Sequence, residues 1–434
     1  MVWGTAGTGG AVTDLLDKIR DGNQKCMYIL SIRKLTHSNA VEIAKALKEN
    51  KTIIEFYASG HDIGLEGIQA FSDMLKYNTT IQKLCIGHSS MGDDAISILC
   101  NGLMDNTGLI ELDLEHKIFG IVGMGCLSNV IKIHPTLQSL NVSRNQLNDD
   151  SINLLCQSLQ VRQTPSMSIK LDDNSFGLIG VEALSDTFSK YSGAEALSDT
   201  FPKCSISLAH NNLTNGQETL GKAIVASNIS YINLESCSLS SNFIKSMDEG
   251  ITKQHLIAEI NLRHNNLSLD GMKYMENILR NGSQLRKIHL GYNNLQDDGA
   301  LELVTALQNT NNQLDVLDLS YNNLTCTSIN KIFQLKNIKE LLLFKNNLGS
   351  GAKDVTEGLM SNTSLEVLDL CVNGLHGEHA ACILDCLASN THLKVLELGG
   401  NNLNDVGRAS LEKLKVKNPL LNVAVNKKGD GNQN

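Results

Sequence analysis

The chain has 434 residues, 41% of them apolar, and a net charge of −9 from 37 basic and 46 acidic side chains. Interspersed signs and a negative balance argue against a surface built for phosphates, so nucleic acid is not expected as a partner. No run of eighteen apolar residues occurs, and eleven cysteines scattered singly fit reduced thiols rather than a disulfide framework; the chain reads as soluble and cytoplasmic, with no membrane partner.

Taken in chain order, the opening MVWGTAGTGGAVTDLLDKIR lacks the basic segment and long apolar run of a secretory signal. Its GTAGTGG stretch has neither the preceding strand nor the following Lys-Ser/Thr of a phosphate-cradling loop, so no cofactor is expected. Residues 1–24 read as an N-terminal cap segment, 25–426 as a repeat domain and 427–434 as a disordered tail. Asn-x-Ser/Thr triplets recur along the chain and, without an export signal, read as coincidental.

The repeat is clearest in the second half, where IAEINLRHNNL, LRKIHLGYNNL, LDVLDLSYNNL, IKELLLFKNNL, LEVLDLCVNGL and LKVLELGGNNL share LxxLxLxxNxL. With the Asn position as marker, the register runs from Arg33 through His61, Ser89, Lys117, Asn145, Asn174, Asn211, Cys237, Asn265, Asn293, Asn322, Asn346 and Asn373 to Asn401, giving fourteen units. In LDVLDLSYNNL, Leu317 and Leu319 fall on one face of a strand and Asp318 and Ser320 on the other. In DDGALELVTALQNT, Leu301, Val304 and Leu307 follow helical spacing. No unit can bury its own core, so stacking is obligatory. Strands stack about 4.8 Å apart and helices about 10 Å, which bends the array into a horseshoe with the parallel sheet inside. Pro135, Pro165, Pro202 and Pro419 all precede predicted strands, where a missing N–H costs little.

This pattern, with marker spacings mostly of 28 or 29, resembles the ribonuclease-inhibitor-like class of leucine-rich repeat proteins over nearly the whole chain. The resemblance implies an α/β leucine-rich repeat solenoid, with a parallel sheet on the concave face and helices on the convex face. The segment EALSDTF occurs twice, at 182–188 and 195–201. Aligned from Asn174, the first copy is the helix of its unit, and the second makes an insert near 189–201.

For function, the resemblance implies a non-enzymatic scaffold that holds a protein partner on its concave face. Relatives of this shape include receptor sensor domains, actin regulators and structural proteins of cilia, so a cytoskeletal or ciliary assembly is one setting the resemblance implies. The predicted contact patch is Tyr292, Val316, Tyr321, Leu342, Phe344, Val367 and Val372, because the chain has only one Trp, eight Tyr and nine Phe, and apolar side chains gather on this face. Cys371 and Val395 share it. Glu111, Asp113, Glu115 and His116 make an acidic spot on an earlier unit. The stretch LDDNSFGLIGVEAL at 171–184 resembles a repeat of the Ran GTPase-activating proteins, which implies the alternative of a small-GTPase regulator. The family's arginine-bearing turn has no match in LDLEHKIFGIVGM, and its acidic tail is not found in NKKGDGNQN. His376, His379, Cys382 and Cys386 carry donors that suit zinc but share a helix with packing residues, so no metal is expected. No catalytic arrangement can be singled out.

Overall fold

The computed structural model describes residues 2–3, 12–162, 167–190, 204–310, 313–349 and 351–425. GTAGTGG, Pro165, Pro202, the second copy of EALSDTF and the tail from 427 lie outside them. The chain divides into two units, 1–216 and 217–434.

The first unit alternates strand and helix: β1 (Val2–Trp3), α1 (Val12–Arg20), β2 (Cys26–Ile29), α2 (His37–Glu49), β3 (Glu55–Ser59), α3 (Gly64–Leu75), β4 (Lys83–Gly87) and α4 (Gly92–Leu103). It continues with β5 (Glu111–Asp113), α5 (Ile121–Ile133), β6 (Ser139–Asn141), α6 (Asp149–Val161), β7 (Ser168–Lys170), α7 (Leu178–Lys190) and β8 (Cys204–Ser207). Each strand pairs in parallel with the next.

The second unit repeats the plan with α8 (Gln217–Ala226), β9 (Ile229–Asn233), α9 (Ser241–Gly250), β10 (Glu259–Asn261), α10 (Ser268–Met272), α11 (Met275–Arg280), β11 (Lys287–His289) and α12 (Gln296–Gln308). There follow β12 (Val316–Asp318), α13 (Cys326–Phe333), β13 (Glu340–Leu342), α14 (Ala352–Ser361), β14 (Val367–Asp369), α15 (Gly377–Cys386), β15 (Val395–Glu397), α16 (Asp405–Lys417) and β16 (Asn422–Ala424). Its strands also pair in parallel, in chain order. Pro135 falls between α5 and β6, and Pro419 between α16 and β16, as expected.

The register explains the core. Leu84, Leu112, Leu140, Ile169 and Ile206 are partners across successive strands and are all buried, as are Ile232, Ile260, Ile288, Leu317, Leu341, Leu368 and Leu396. The first copy of EALSDTF lies in α7, with Leu184 and Phe188 buried.

The Asn markers form a ladder between repeats. Asn145 donates from Nδ2 to the Leu114 and Val142 carbonyls at 3.0 and 2.9 Å, and its Oδ1 accepts the Lys117 N–H at 3.0 Å. Cys237, the one substitute in this part of the ladder, reaches the Glu235 carbonyl through sulfur at 3.5 Å, while Asn265 Oδ1 accepts its N–H at 3.1 Å. The first four units solve the same problem with other side chains. His61 accepts the Leu35 N–H at Nδ1 and places Nε2 3.3 Å from the Ile29 carbonyl. Ser89 turns instead toward His88, and Lys117 of the next unit reaches across, donating from Nζ to the Gly87 carbonyl at 3.1 Å and to Ser59 Oγ at 3.0 Å. Lys117 is 1% exposed, and burial lowers the pKa of its ammonium.

The marker of the first unit is corrected by one residue. Cys26 pairs with Glu55 and Met27 with Phe56, so the position equivalent to His61 is Ile32 rather than Arg33. The buried Ile29, and not the exposed Leu30, takes the second leucine slot of the strand.

A second ladder, at the helix ends, was not anticipated. Asn78 donates to the Leu47 and Asn50 carbonyls at 2.6 and 3.2 Å and accepts the N–H groups of Thr80 and Ile81. Asn50, Asn106, Asn362 and Asn418 donate in the same way. Asn50, Asn78 and Asn362 head Asn-x-Ser/Thr triplets yet are buried, which gives those triplets a structural reason and leaves no access for a glycan.

Candidate interaction surface

The open face of each sheet, turned away from its helices, carries the residues between the leucines. From His116 onward the residue before the marker takes a left-handed backbone, including Tyr292 (φ 59°), Tyr321 (φ 56°), Lys345 (φ 52°) and Val372 (φ 55°). Side chains other than Asn, Asp and Gly rarely adopt it. Because successive parallel strands repeat this conformation at one strand spacing, the side chains of the row lie face to face.

Their rings make a ladder in the second unit. His264 and Tyr292 stack at 4.0 Å between centroids, and Tyr292 and Tyr321 at 3.5 Å, both at 20°. The row continues through Lys345, whose Nζ lies 4.3 Å from the centre of the Tyr321 ring. Phe344, expected to extend the tyrosines, sits one row over and meets Tyr321 tilted, at 5.7 Å and 48°. Sequence spacing placed the three rings within reach of one another; the parts of His264 and Lys345 needed the shared backbone angle.

The remaining candidates divide by burial. Leu342, Phe344, Val367 and Val372 are half-buried on this face. Val316 is 8% exposed and serves packing more than surface. Beside it a polar network crosses three repeats: Arg263 donates to the fully buried Asp318, whose other oxygen accepts the Ser320 N–H at 2.9 Å. His289 lies 3.4 Å from Glu259, which also pairs with Lys287 at 3.2 Å. Burial, and then the Arg263 charge, push the His289 pKa down.

The acidic spot of the first unit is partly neutralised. Glu111 pairs with Lys83 at 3.4 Å, Glu115 with Arg144 at 3.6 Å, and Asp113 accepts from Asn141 at 3.3 Å. Next to it Tyr28 and Tyr57 stack at 4.7 Å and 2°, Tyr28 exposed and Tyr57 half-buried, a pair that the sequence pattern did not single out. Burial, with the nearby Glu111 and Glu55, pushes the Tyr57 pKa up to about 12.

The zinc-suited residues of α15 do not converge. The His376 and His379 rings are 6.2 Å apart, Cys382 is exposed, and Cys386 bonds the Ile383 carbonyl. Among the described residues, ligand atoms within 4.8 Å of one another are brought together at Asp369, Cys371 and Glu397 instead.

The stretch 171–184 is absorbed by the repeat itself. Asp172 accepts from Ser207 Oγ at 2.5 Å and the Ala209 N–H at 2.9 Å, Asn174 belongs to the marker ladder, and Gly177 and Gly180 donate to Asp149 of the preceding helix.

A family model described as Leucine Rich repeat matches residues 134–156, 284–304 and 389–411. A ribonuclease inhibitor from Sus scrofa is 31% identical over 101 residues, 23% of this chain and 22% of that protein. The chain is built of leucine-rich repeats and is similar to the ribonuclease-inhibitor-like class. This leucine-rich repeat chain is also similar to NACHT, LRR and PYD domains-containing protein 9 from Bos taurus, at 29% identity over 128 residues, 29% of this chain and 13% of that protein. The alignments thus span less than a quarter of either relative. An internalin from Listeria monocytogenes superposes with a TM-score of 0.41 at 14% identity, covering 90% of this chain and 89% of that one, a likeness too loose to add to the repeat geometry. No helix among the described residues of the leucine-rich repeat chain is long and apolar enough to cross a membrane.

Proposed function

We propose that the chain is a non-enzymatic scaffold that takes a protein partner on the open face of β11 to β14. The observation that carries this reading is the ring ladder of His264, Tyr292 and Tyr321, closed by Lys345 and Phe344, beside the half-buried Leu342, Val367 and Val372. Aromatic anchors within an apolar patch are where truncation costs most in binding, and positions fixed by strand backbones lose little entropy on docking. An intracellular setting is supported by eleven cysteines that are all thiols. Regulation of a small GTPase stays second, because Asp172, Asn174, Gly177 and Gly180 of the stretch that suggests it are bonded within the repeats.

The test is a double substitution. Tyr321→Ala with Phe344→Ala is expected to lower affinity for the partner that a pull-down from the native source identifies by at least roughly a hundredfold, with helical content unchanged. Unaltered capture by this variant, together with loss of capture on charge reversal at Glu111, Asp113 and Glu115, would place the site on the first unit and overturn the reading.

A further inference from the structure

The first turns of the helices in the first unit show an alternation that packing does not require. At the second and third positions of α3 to α7, counted from Gly64, Gly92, Gly120, Asn148 and Gly177, stand Leu65-Glu66, Asp93-Asp94, Ile121-Val122, Asp149-Asp150 and Leu178-Ile179. The first Asp of each acidic pair has a structural task. Asp93 Oδ1 accepts the Gly120 and Gly123 N–H groups, both at 2.8 Å, and Asp149 Oδ1 accepts those of Gly177 and Gly180 at 2.6 and 2.9 Å, so each caps the helix of the following repeat.

The aliphatic pairs have no such task. Leu65, Ile121, Val122, Leu178 and Ile179 are from 41 to 63% exposed. Nor does the cap demand them: in the second unit Asp297 caps the next helix in the same way, through the Thr325 N–H and Ser328 Oγ, and the equivalent pair there is Cys326-Thr327. Single exposed aliphatics are ordinary, but five in one register are an organised surface. Between them the second acids of the pairs, Asp94 and Asp150, are exposed and make no ion pair among the described residues.

We infer that this rim docks an amphipathic α-helix of a protein partner, one whose contact face alternates apolar and basic residues at seven-residue steps. The spacing selects a helix. Neighbouring helices of the array lie about 10 Å apart. Seven residues of a partner helix rise about 10.5 Å and return to nearly the same face, so a helix laid along the rim meets one repeat per two turns. An extended strand covers about 10 Å in three residues, and its side chains alternate sides, so every second contact would point away from the rim. The charge selects the sequence: apolar residues of the partner oppose Ile121-Val122 and Leu178-Ile179, and a lysine or arginine between them opposes Asp150. This surface lies on the first unit and does not depend on the open face proposed above.

The test titrates the full chain with a synthetic helical peptide that carries two leucine pairs flanking a lysine pair at seven-residue steps. A twin has glutamate for lysine, and a second control has a central proline. Binding of the lysine peptide is expected, weakened at least tenfold by Val122→Asp with Ile179→Asp. Asp94→Lys with Asp150→Lys should weaken it at least tenfold and favour the glutamate twin. This second variant leaves both capping aspartates in place and keeps the test decisive should the first fail to fold by circular dichroism. Equal affinity for both twins, full binding of the proline control, or no binding of any peptide overturns the proposal. So does self-association of the wild type in sedimentation that the Val122→Asp with Ile179→Asp variant abolishes, which would make the rim an interface between copies of this chain.

Discussion

At the residue scale, His134 shows how a substitute in a ladder sets a pH dependence. It occupies the helix-end slot that Asn50, Asn78 and Asn106 fill elsewhere, and its Nδ1 accepts the N–H groups of Thr136 and Leu137 at 3.4 and 3.2 Å. Nε2 then carries the proton, and it is buried without a partner. Burial, with the Arg162 charge beside it, lowers the pKa from 6.5 to about 4. A histidine held neutral in the fold binds fewer protons than in the unfolded chain between those values. Its contribution to stability is therefore complete above about pH 6.5 and lost as pH falls toward 4, by up to about 3 kcal/mol. His134→Asn restores an amide that can donate and cannot titrate. Urea midpoints at pH 7 and pH 4.5 are expected to differ less for this variant than for wild type, although the likewise depressed His61, His255 and His289 keep part of the slope. Parallel losses in the two proteins would rule out this role.

At the scale of the element, the helix starts of the first unit are tied to their neighbours. Asp149→Ala removes the acceptor of two backbone N–H groups at the start of α7 and is expected to cost about 1 to 2 kcal/mol, whereas Asp150→Ala, one residue on and exposed, should cost much less. Gly180→Ala would put a Cβ 2.8 Å from Asp149 Oδ1 and 3.0 Å from the Phe176 Cβ and should destabilise by about 1 to 3 kcal/mol. Thermal or urea unfolding of the three variants checks the order, and a loss for Asp150→Ala equal to that of Asp149→Ala would show that the bonds to Gly177 and Gly180 are not what matters. Strands and helices were legible in the sequence because leucine spacing changes period within each unit, and the marker register holds wherever Asn is kept. It slipped by one at Arg33, where no Asn fixes the turn and only the pairing of Cys26 with Glu55 reveals the register. Of the candidate site, the tyrosines and Phe344 were legible as rare aromatics. The row that joins His264 to Lys345 was not, because it depends on a backbone angle that spacing does not encode.

For the whole molecule, the repeat architecture makes stability local. Each repeat packs only against its neighbours, so stability is close to a sum of repeat terms and interfaces between adjacent repeats. Leu319 is fully buried just after β12, with its N–H bonded to the Leu342 carbonyl of the next repeat. Leu319→Ala removes that side chain and is expected to cost about 2 to 5 kcal/mol. The consequence for amide exchange follows from connectivity. Protection should fall in β12 and in its paired neighbours β11 and β13, and fade over further repeats, leaving β3 to β6 of the first unit at wild-type rates. A chain stabilised by one shared core would instead lose protection everywhere at once, since every amide would open through the same global event. Hydrogen exchange read by mass spectrometry separates the two outcomes, and a uniform rise in exchange across both units would refute the local picture. The same locality bears on the two proposed surfaces: substitutions at Tyr321 and Phe344 should leave peptide binding at the Ile121 to Ile179 rim unchanged, because many repeats separate them along the chain.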